Sequence, residues 1–512
     1  MSSASLTRAG RDARRPGTAA DGEPSPARRP GLAGLPWPGL ALAMLVVVTT
    51  VLFVVYPTFP NYDSYYSLLW GREVLDGELP SFDAYRAPTQ HPLAIVFGAV
   101  LSLLGDAADR VLVAATLISF VALAAGLYHL ARSSFTVLAG LVAAASVCTR
   151  FDFPFLAARG YIDIPYLAFV VWAAALAAPT HGLRPRVPGP RRGTPVLMLL
   201  AGAGLLRPEA WLLSGLYWLW LVPPLSWAQR IRSALLVGIG PVVWIATDWI
   251  VTGDPLFSHT HTSGLAEELG RQRGLKEVPA TTWNFLIGLD KAPVFYAGLA
   301  GLALAVVLVP RRIGVPAALL AAGLATFGLV GLAGLSVIDR YLLVPSLMVM
   351  VFAAVTLTGW TMLRAGRART LWAIAAALVV VYGVAFTATR VRLSSFDTEL
   401  RFRGDAHASL EAVLADPRVA AGLRCGPVSV PNHKLVPDVR WILDAGERDV
   451  LARSDDSTRS RVQRGVAIYV ADRAALLRQA LVEEGDDPLD SVPLPGFERV
   501  ATTEHYGAYV RC

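Results

Sequence analysis

Twelve apolar runs recur along the chain, near residues 36–56, 92–104, 111–131, 135–149, 162–178, 195–206, 210–225, 234–252, 292–309, 314–335, 341–360 and 370–388, and no arginine falls inside any of them. A bilayer imposes this pattern. A helix of about 20 apolar residues crosses its ~30 Å hydrocarbon core with every backbone polar group satisfied internally. With 54% hydrophobic and only 17% charged residues, the 512-residue chain reads as a polytopic α-helical membrane protein.

The run at 92–104 is too short to cross comfortably. If it lies along the membrane surface, the basic groups at Arg132, Arg184–Arg192, Arg230 and Arg232, Arg311 and Arg312, and Arg364–Arg369 all fall on the side of the Arg-rich N-terminus. The positive-inside rule is then obeyed at every turn, which predicts eleven crossings with the N-terminus cytoplasmic and the C-terminus outside. The net charge of +7 gathers in short stretches such as "RPRVPGPRR" and "RAGRAR". These suit orientation signals, not a nucleic-acid face, so no nucleic-acid partner is expected.

Three segments follow. Residues 1–33, rich in Arg, Pro, Ser and Gly, read as a disordered cytoplasmic tail; 34–390 hold the crossings; 391–512 form an extracytoplasmic soluble domain. The first apolar run lacks a small-residue cleavage site, so it reads as an uncleaved first helix. The soluble domain alternates helix-like stretches ("ASLEAVLADPRVAAGL", "ADRAALLRQALVEEG") with β-like ones ("GPVSV", "VAIYV", "YGAYVRC"), as a small α/β or α+β unit does, and it shows no catalytic motif. Outside the cytoplasm, its Cys425 and Cys512 are free to pair; Cys148 sits within an apolar run.

Charge gathers at one mouth of this bundle. Asp63 opens an aromatic-rich amphipathic stretch, Asp63 to Gly77, expected to lie in the interface just after the first crossing. Asp163 opens a later crossing on the same side, two residues before Pro165. Ionisable residues at membrane depth are costly and mark function by default, although a carboxylate in a first helical turn also serves as a plain capping charge. Arg86, Arg150, Arg159, Arg207 and Arg340 share that side, as do His91 and Glu209. For the arginines at helix ends, lipid anchoring is the competing role. The stretch at 253–291 carries His259 and His261, whose spacing lacks the company of a metal motif, and its length suggests a mobile loop covering substrate.

An Asp directly after the first transmembrane helix, the "P-x-x-H-P-L" stretch Pro88–Leu93 and the "D-x-P" of Asp163–Pro165 together resemble the GT-C superfamily of polyprenyl-phosphate-sugar-dependent glycosyltransferases. The likeness is to its protein mannosyltransferase and aminoarabinose transferase branch, over roughly residues 36–390. The resemblance implies a bundle of about eleven transmembrane helices with interfacial helices in the first external loop. It also implies a lipid-linked sugar donor, a glycan, lipid or protein acceptor, and a first-loop Asp, here Asp63, as catalytic base, with Asp163 as the second-loop Asp. Many relatives have Asp-Glu where this chain has Asp63-Ser64, so the motif leaves a divalent metal and the donor class open. Arg86, His91, Arg159, Arg207 and Arg340 are then candidates for the donor phosphate, which Arg matches bidentately, and His259, His261 and Glu209 for the substrate side. A transporter or flippase, or an inactive scaffold, is the competing class; the nearly pure Ala, Leu, Val and Gly spans argue against a mid-membrane path.

The topology has a direct test. Single cysteines placed near 184–192 and 364–369 should label only from the cytoplasm, and those at 253–290 and 400–510 only from outside; cytoplasmic labelling at 106–109 would refute the surface position of residues 92–104.

Overall fold

The structure, a computed structural model, describes residues 37–178, 190–390, 393–458, 460–481 and 493–512. The tail expected at 1–33 and the basic pair Arg184 and Arg186 lie outside the described residues.

Helix α1 (Trp37–Val55) ends before Pro57 and Pro60, and Asn61 caps α2 (Tyr62–Leu75) by accepting from the Ser64 N–H at 2.8 Å. Then follow α3 (Pro92–Ser102), α4 (Ala108–Ser134), α5 (Val137–Thr149), α6 (Asp152–Ala158), α7 (Asp163–Ala177), α8 (Pro190–Leu206), α9 (Glu209–Leu221) and α10 (Trp227–Thr252). Next come α11 (Phe257–Glu268), α12 (Val278–Asp290), α13 (Ala292–Leu308), α14 (Gly314–Leu332), α15 (Leu343–Thr358) and α16 (Arg367–Arg390). Among the described residues, six helices are long and apolar enough to cross a membrane, and eight if the bent pairs α5–α6 (63°) and α12–α13 (108°) each count as one span. Helices α3, α7 and α8 are shorter and apolar.

Packing sorts these helices by depth. Nearly every residue of α15 is buried, and it lies against α13, α5 and α14 at the centre of the bundle. By contrast α1 buries none of its residues and exposes Met44, Val47, Val51 and Val54, apolar groups whose natural surroundings are lipid.

Two sequence expectations change here. The Asp63–Gly77 stretch is not an open amphipathic surface helix: Ser64 to Gly71 are all buried, between α3 and the soluble domain. The cause is small residues at the crossing. A Cβ on Gly98 would run into the Ser67 carbonyl, and one on Gly71 into the Ala99 amide, so glycine lets α2 and α3 touch backbone to backbone. The expected loop at 253–291 is largely the helices α11 and α12.

The C-terminal domain pairs helices α17 (Leu393–Leu414), α18 (Pro417–Gly422), α19 (Val436–Ile442) and α20 (Arg473–Arg478) with a five-stranded mixed sheet. Its strands are β1 (Val428–Val430), β2 (Val450–Ala452), β3 (Gly465–Val470), β4 (Glu498–Thr502) and β5 (Tyr506–Arg511), in the order β2-β1-β3-β5-β4. Strand β1 runs parallel to β2 and β3, and β5 antiparallel to β3 and β4, with Val428 opposite Val466 and Val466 opposite Val510. Val430, Val439, Val466 and Ile468 fill its core, and a Cys425–Cys512 disulfide closes it.

This domain is locked onto the loop between α1 and α4. Arg440, 1% exposed, donates to Glu73 Oε1 at 2.6 Å, and Glu73 also accepts from the Ser81 N–H at 2.8 Å. Arg72 pairs with Asp444 and lies over Trp441; the His407 ring stacks on Phe59 with centroids 4.0 Å apart. Breaking a buried pair by removing one partner costs about 3–5 kcal/mol because the other charge is stranded. Glu73→Ala should therefore loosen the docking, read as faster proteolytic release of residues after 392; release at the parental rate would show that the pair contributes little.

Candidate active site

The loop between α1 and α4, the α6–α7 turn, the α8–α9 turn, α10 and α11, the stretch before α15 and the soluble domain all border one cavity of about 950 Å³. Through its wall runs an alternating chain of charge. Asp63, in the first turn of α2, accepts from Arg340 at 3.1 Å; the same guanidinium nitrogen lies 3.5 Å from Asp163 Oδ2; Asp163 Oδ1 meets Arg207, which reaches Glu209 at 2.8 Å. Three carboxylates share two guanidiniums.

The sequence explains each position. Asn61 starts α2 and so fixes Asp63 one residue into it; Pro165 in the first turn of α7 fixes Asp163 at a helix start, where the dipole favours a carboxylate. Pro208 turns α8 into α9, and sets Arg207 and Glu209 on either side of itself. Tyr166 and Tyr341 flank the Arg207 guanidinium at 5.6 and 5.0 Å, and Tyr161 faces Arg340 at 5.6 Å.

Burial works to raise the Asp63 carboxyl, yet the neighbouring Arg340 outweighs it and holds Asp63 below the usual carboxylate range. Burial likewise pushes His91 down to about 4, so its ring is neutral at physiological pH; it packs edge-on against Trp244 at 5.8 Å.

Of the residues singled out from sequence, Asp63, Arg86, His91, Asp163, Arg207, Glu209, His259 and Arg340 line the cavity. Arg159 does not: its guanidinium stacks on Phe59 at 3.9 Å, and its carbonyl accepts from the Asn61 N–H, so it braces the entry to α2. His261 is turned to the Ala87 carbonyl at 3.0 Å, away from His259. Among the described residues no three His, Cys, Asp or Glu side chains converge as a metal site. Arg207 is enclosed by Asp163 and Glu209 with a side chain 10% exposed, whereas that of Arg340 is 33% exposed toward the cavity. Of these two side chains, that of Arg340 keeps the more open surface at the cavity.

Sequence reasoning missed several lining residues. Asp248, buried in α10, accepts from Ser258 and Gln90, and Trp211 and Trp244 form an apolar wall. Asp152 and Asp339 line the cavity too. His433 and Lys434 come from the soluble domain, whose sequence carries no motif to announce them.

No family model matches the sequence, and no curated protein is similar to it in sequence. Its shape is informative. It is similar to ArnT from Cupriavidus metallidurans bound to undecaprenyl phosphate, at TM-score 0.54 and 14% identity, over 92% of this chain and 97% of that one. It is also similar to the oligosaccharyltransferase of Archaeoglobus fulgidus in the apo form, at TM-score 0.52 and 11% identity, over 93% of this chain and 74% of the other. The chain has the fold of these GT-C membrane glycosyltransferases.

The ion chain predicts an acid response. A depressed carboxyl contributes stability above its unfolded pKa and loses it as pH falls through its folded value. The Asp63 contribution should thus persist to pH below about 4, the unperturbed Asp value. In Arg340→Gln burial is no longer outweighed and lifts the Asp63 carboxyl, so its contribution changes sign and improves as pH falls: the variant's deficit in thermal-melting midpoint against the parental protein should be largest at pH 7 and shrink toward pH 3. Identical pH profiles would refute the coupling.

Proposed function

We propose that this chain, having the GT-C fold, transfers a monosaccharide from a polyprenyl-phosphate donor to an acceptor hydroxyl on the extracytoplasmic face, with Asp63 as the base. The observation that carries this reading is the joining of two loop carboxylates, Asp63 and Asp163, by one guanidinium that still faces a cavity of substrate size. The reading includes eleven crossings, a cytoplasmic N-terminus and an external soluble domain.

A sugar phosphodiester already carries its leaving group, so the protein must supply a base and a cation. Asp63 accepts the acceptor's O–H proton; the acceptor oxygen forms a bond to the anomeric carbon as the bond from that carbon to the phosphate oxygen breaks. The electron pair stays on the polyprenyl phosphate, and the open edge of Arg340 takes up its added charge. Attack opposite the leaving phosphate inverts the anomeric centre. Because Arg340 keeps Asp63 ionised, the carboxylate is always ready to accept, and its weak basicity puts proton transfer late, when the hydroxyl has already become acidic. Asp163 and Glu209 hold Arg340 and Arg207 in register. The Trp211, Trp244 and Ile245 wall suits the isoprenoid end of the donor.

A positioned general base contributes about 10² to 10⁴ in rate. Asp63→Asn should lose that much transfer from polyprenyl-phosphate sugars while it binds undecaprenyl phosphate as the parental protein does; parental turnover would return Asp63 to helix capping. Arg340→Ala should weaken undecaprenyl phosphate binding by about 1.5–3 kcal/mol, the worth of a hydrogen bond to a charged group, and unchanged affinity would remove the phosphate role.

A further inference from the structure

Along the cavity wall, burial leaves polar atoms without partners. Asn61 Nδ2, His91 Nδ1, Asp163 Oδ2 and Glu209 Oε2 belong to lining side chains, and each is buried with no hydrogen bond among the described residues. Buried polar groups are almost always paired, and leaving one unpaired is costly, most of all for a charge. The two carboxylates are the sharpest cases. The Glu209 side chain is 9% exposed; its Oε1 accepts both Arg207 bonds, at 2.8 and 3.1 Å, and its Oε2 accepts none. Asp163 is fully buried; its Oδ1 meets Arg207, while the Arg340 nitrogen 3.5 Å from Oδ2 makes its hydrogen bond to Asp63.

Their chemistry limits what can fill them. An ionised carboxylate only accepts, and a neutral imidazole accepts at one of its nitrogens, so Asp163, Glu209 and His91 need O–H or N–H donors. Asp163 and Glu209 grip one guanidinium and so lie within its width of each other, near the scale of a sugar ring. The His91 ring, just ahead of α3, is held edge-on by Trp244 at 5.8 Å. Water satisfies such acceptors until a ligand displaces it, and a ligand that cannot replace the bonds binds poorly. Of the donor's parts, the isoprenoid and the ionised phosphodiester carry no O–H. The sugar carries several. A donor whose phosphate meets Arg340 also sets its sugar beside Asp163 and, one guanidinium further, Glu209.

We propose that Asp163 Oδ2 and Glu209 Oε2, with His91 Nδ1, accept hydroxyl hydrogen bonds from the transferred monosaccharide and so select which sugar is moved. This rests on the transferase reading above. Each carboxylate then has two tasks, one oxygen holding Arg207 and the other reading the sugar. The sugar is neutral and hydroxyl-rich at these positions, because a uronate would set its own carboxylate against two others. A site built on such bonds rejects an analogue that lacks the hydroxyl, since its buried acceptors are then stranded.

The test measures binding to the full chain in detergent, without acceptor. The probes are undecaprenyl phosphate, its glucose, mannose and galactose esters, and the monodeoxy analogues of whichever ester binds tightest. At least one analogue should bind the parental protein tenfold or more weaker than its parent ester. In Glu209→Gln, which keeps the Arg207 bonds at Oε1 but puts a donor in place of Oε2, that penalty should shrink to within threefold, with undecaprenyl phosphate itself bound within threefold of parental. His91→Phe, which keeps a ring against Trp244, should remove the penalty of a different hydroxyl. Equal binding of every analogue to the parental protein overturns the proposal whether or not the variants fold. A penalty undiminished in both variants overturns it too, as does equal weakening of bare and sugar-bearing probes by Glu209→Gln. Failure of the parental chain to bind undecaprenyl phosphate is a separate result: it removes the transferase reading, and the sugar assignment with it.

Discussion

The site depends on one guanidinium. Arg340 stands between Asp63 and Asp163, carboxylates at the starts of two helices that would repel each other across a partly dehydrated cavity. Two like charges brought together in low dielectric push one of the pair to take up a proton. A fixed cation between them keeps Asp63 ionised and holds the α2 and α7 starts at a set separation. Arg207 repeats the device one step further in, between Asp163 and Glu209. Buried ion pairs of this kind are weak evidence for stability, because desolvation offsets most of the Coulomb gain. Their consequence here is geometric: they fix where charge lies before any ligand arrives.

Fixing that geometry needs a rigid first loop, and the soluble domain supplies the clamp. Helix α2 is pressed from one side by α3 at the Gly71 and Gly98 contact, and from the other by α19, Arg440 and His407. The same clamp brings His433 and Lys434 to the cavity. A substitution at the domain interface therefore acts on the site through the position of α2.

The sequence made the fold class and most of the inner charge chain legible. Asp63 and Asp163 stood out because a carboxylate at a membrane boundary is expensive, and Arg207, Glu209 and Arg340 because they break otherwise apolar surroundings. Arg159 looked the same by that criterion, yet it stacks on Phe59 outside the cavity, since position along the chain does not say which way a side chain turns. The burial of α2 was equally hidden. Its aromatic residues suit a lipid interface and a protein core alike, and only the partner that covers them distinguishes the two.

What the sequence alone determined is the alternation of apolar segments and polar turns, because a bilayer leaves few ways to satisfy a backbone and each span announces itself by length. The small mixed domain at the C-terminus was likewise readable from its local alternation of helix and strand patterns. Tertiary structure decided which charges meet. The pairing of Asp63 with Arg340 joins residues 277 apart in sequence, that of Glu73 with Arg440 joins residues 367 apart, and Lys434 reaches the cavity only because its domain docks on the first loop. Contacts at such separations leave no periodic trace in the chain; they exist only where helix packing and domain docking bring the segments within a few ångströms.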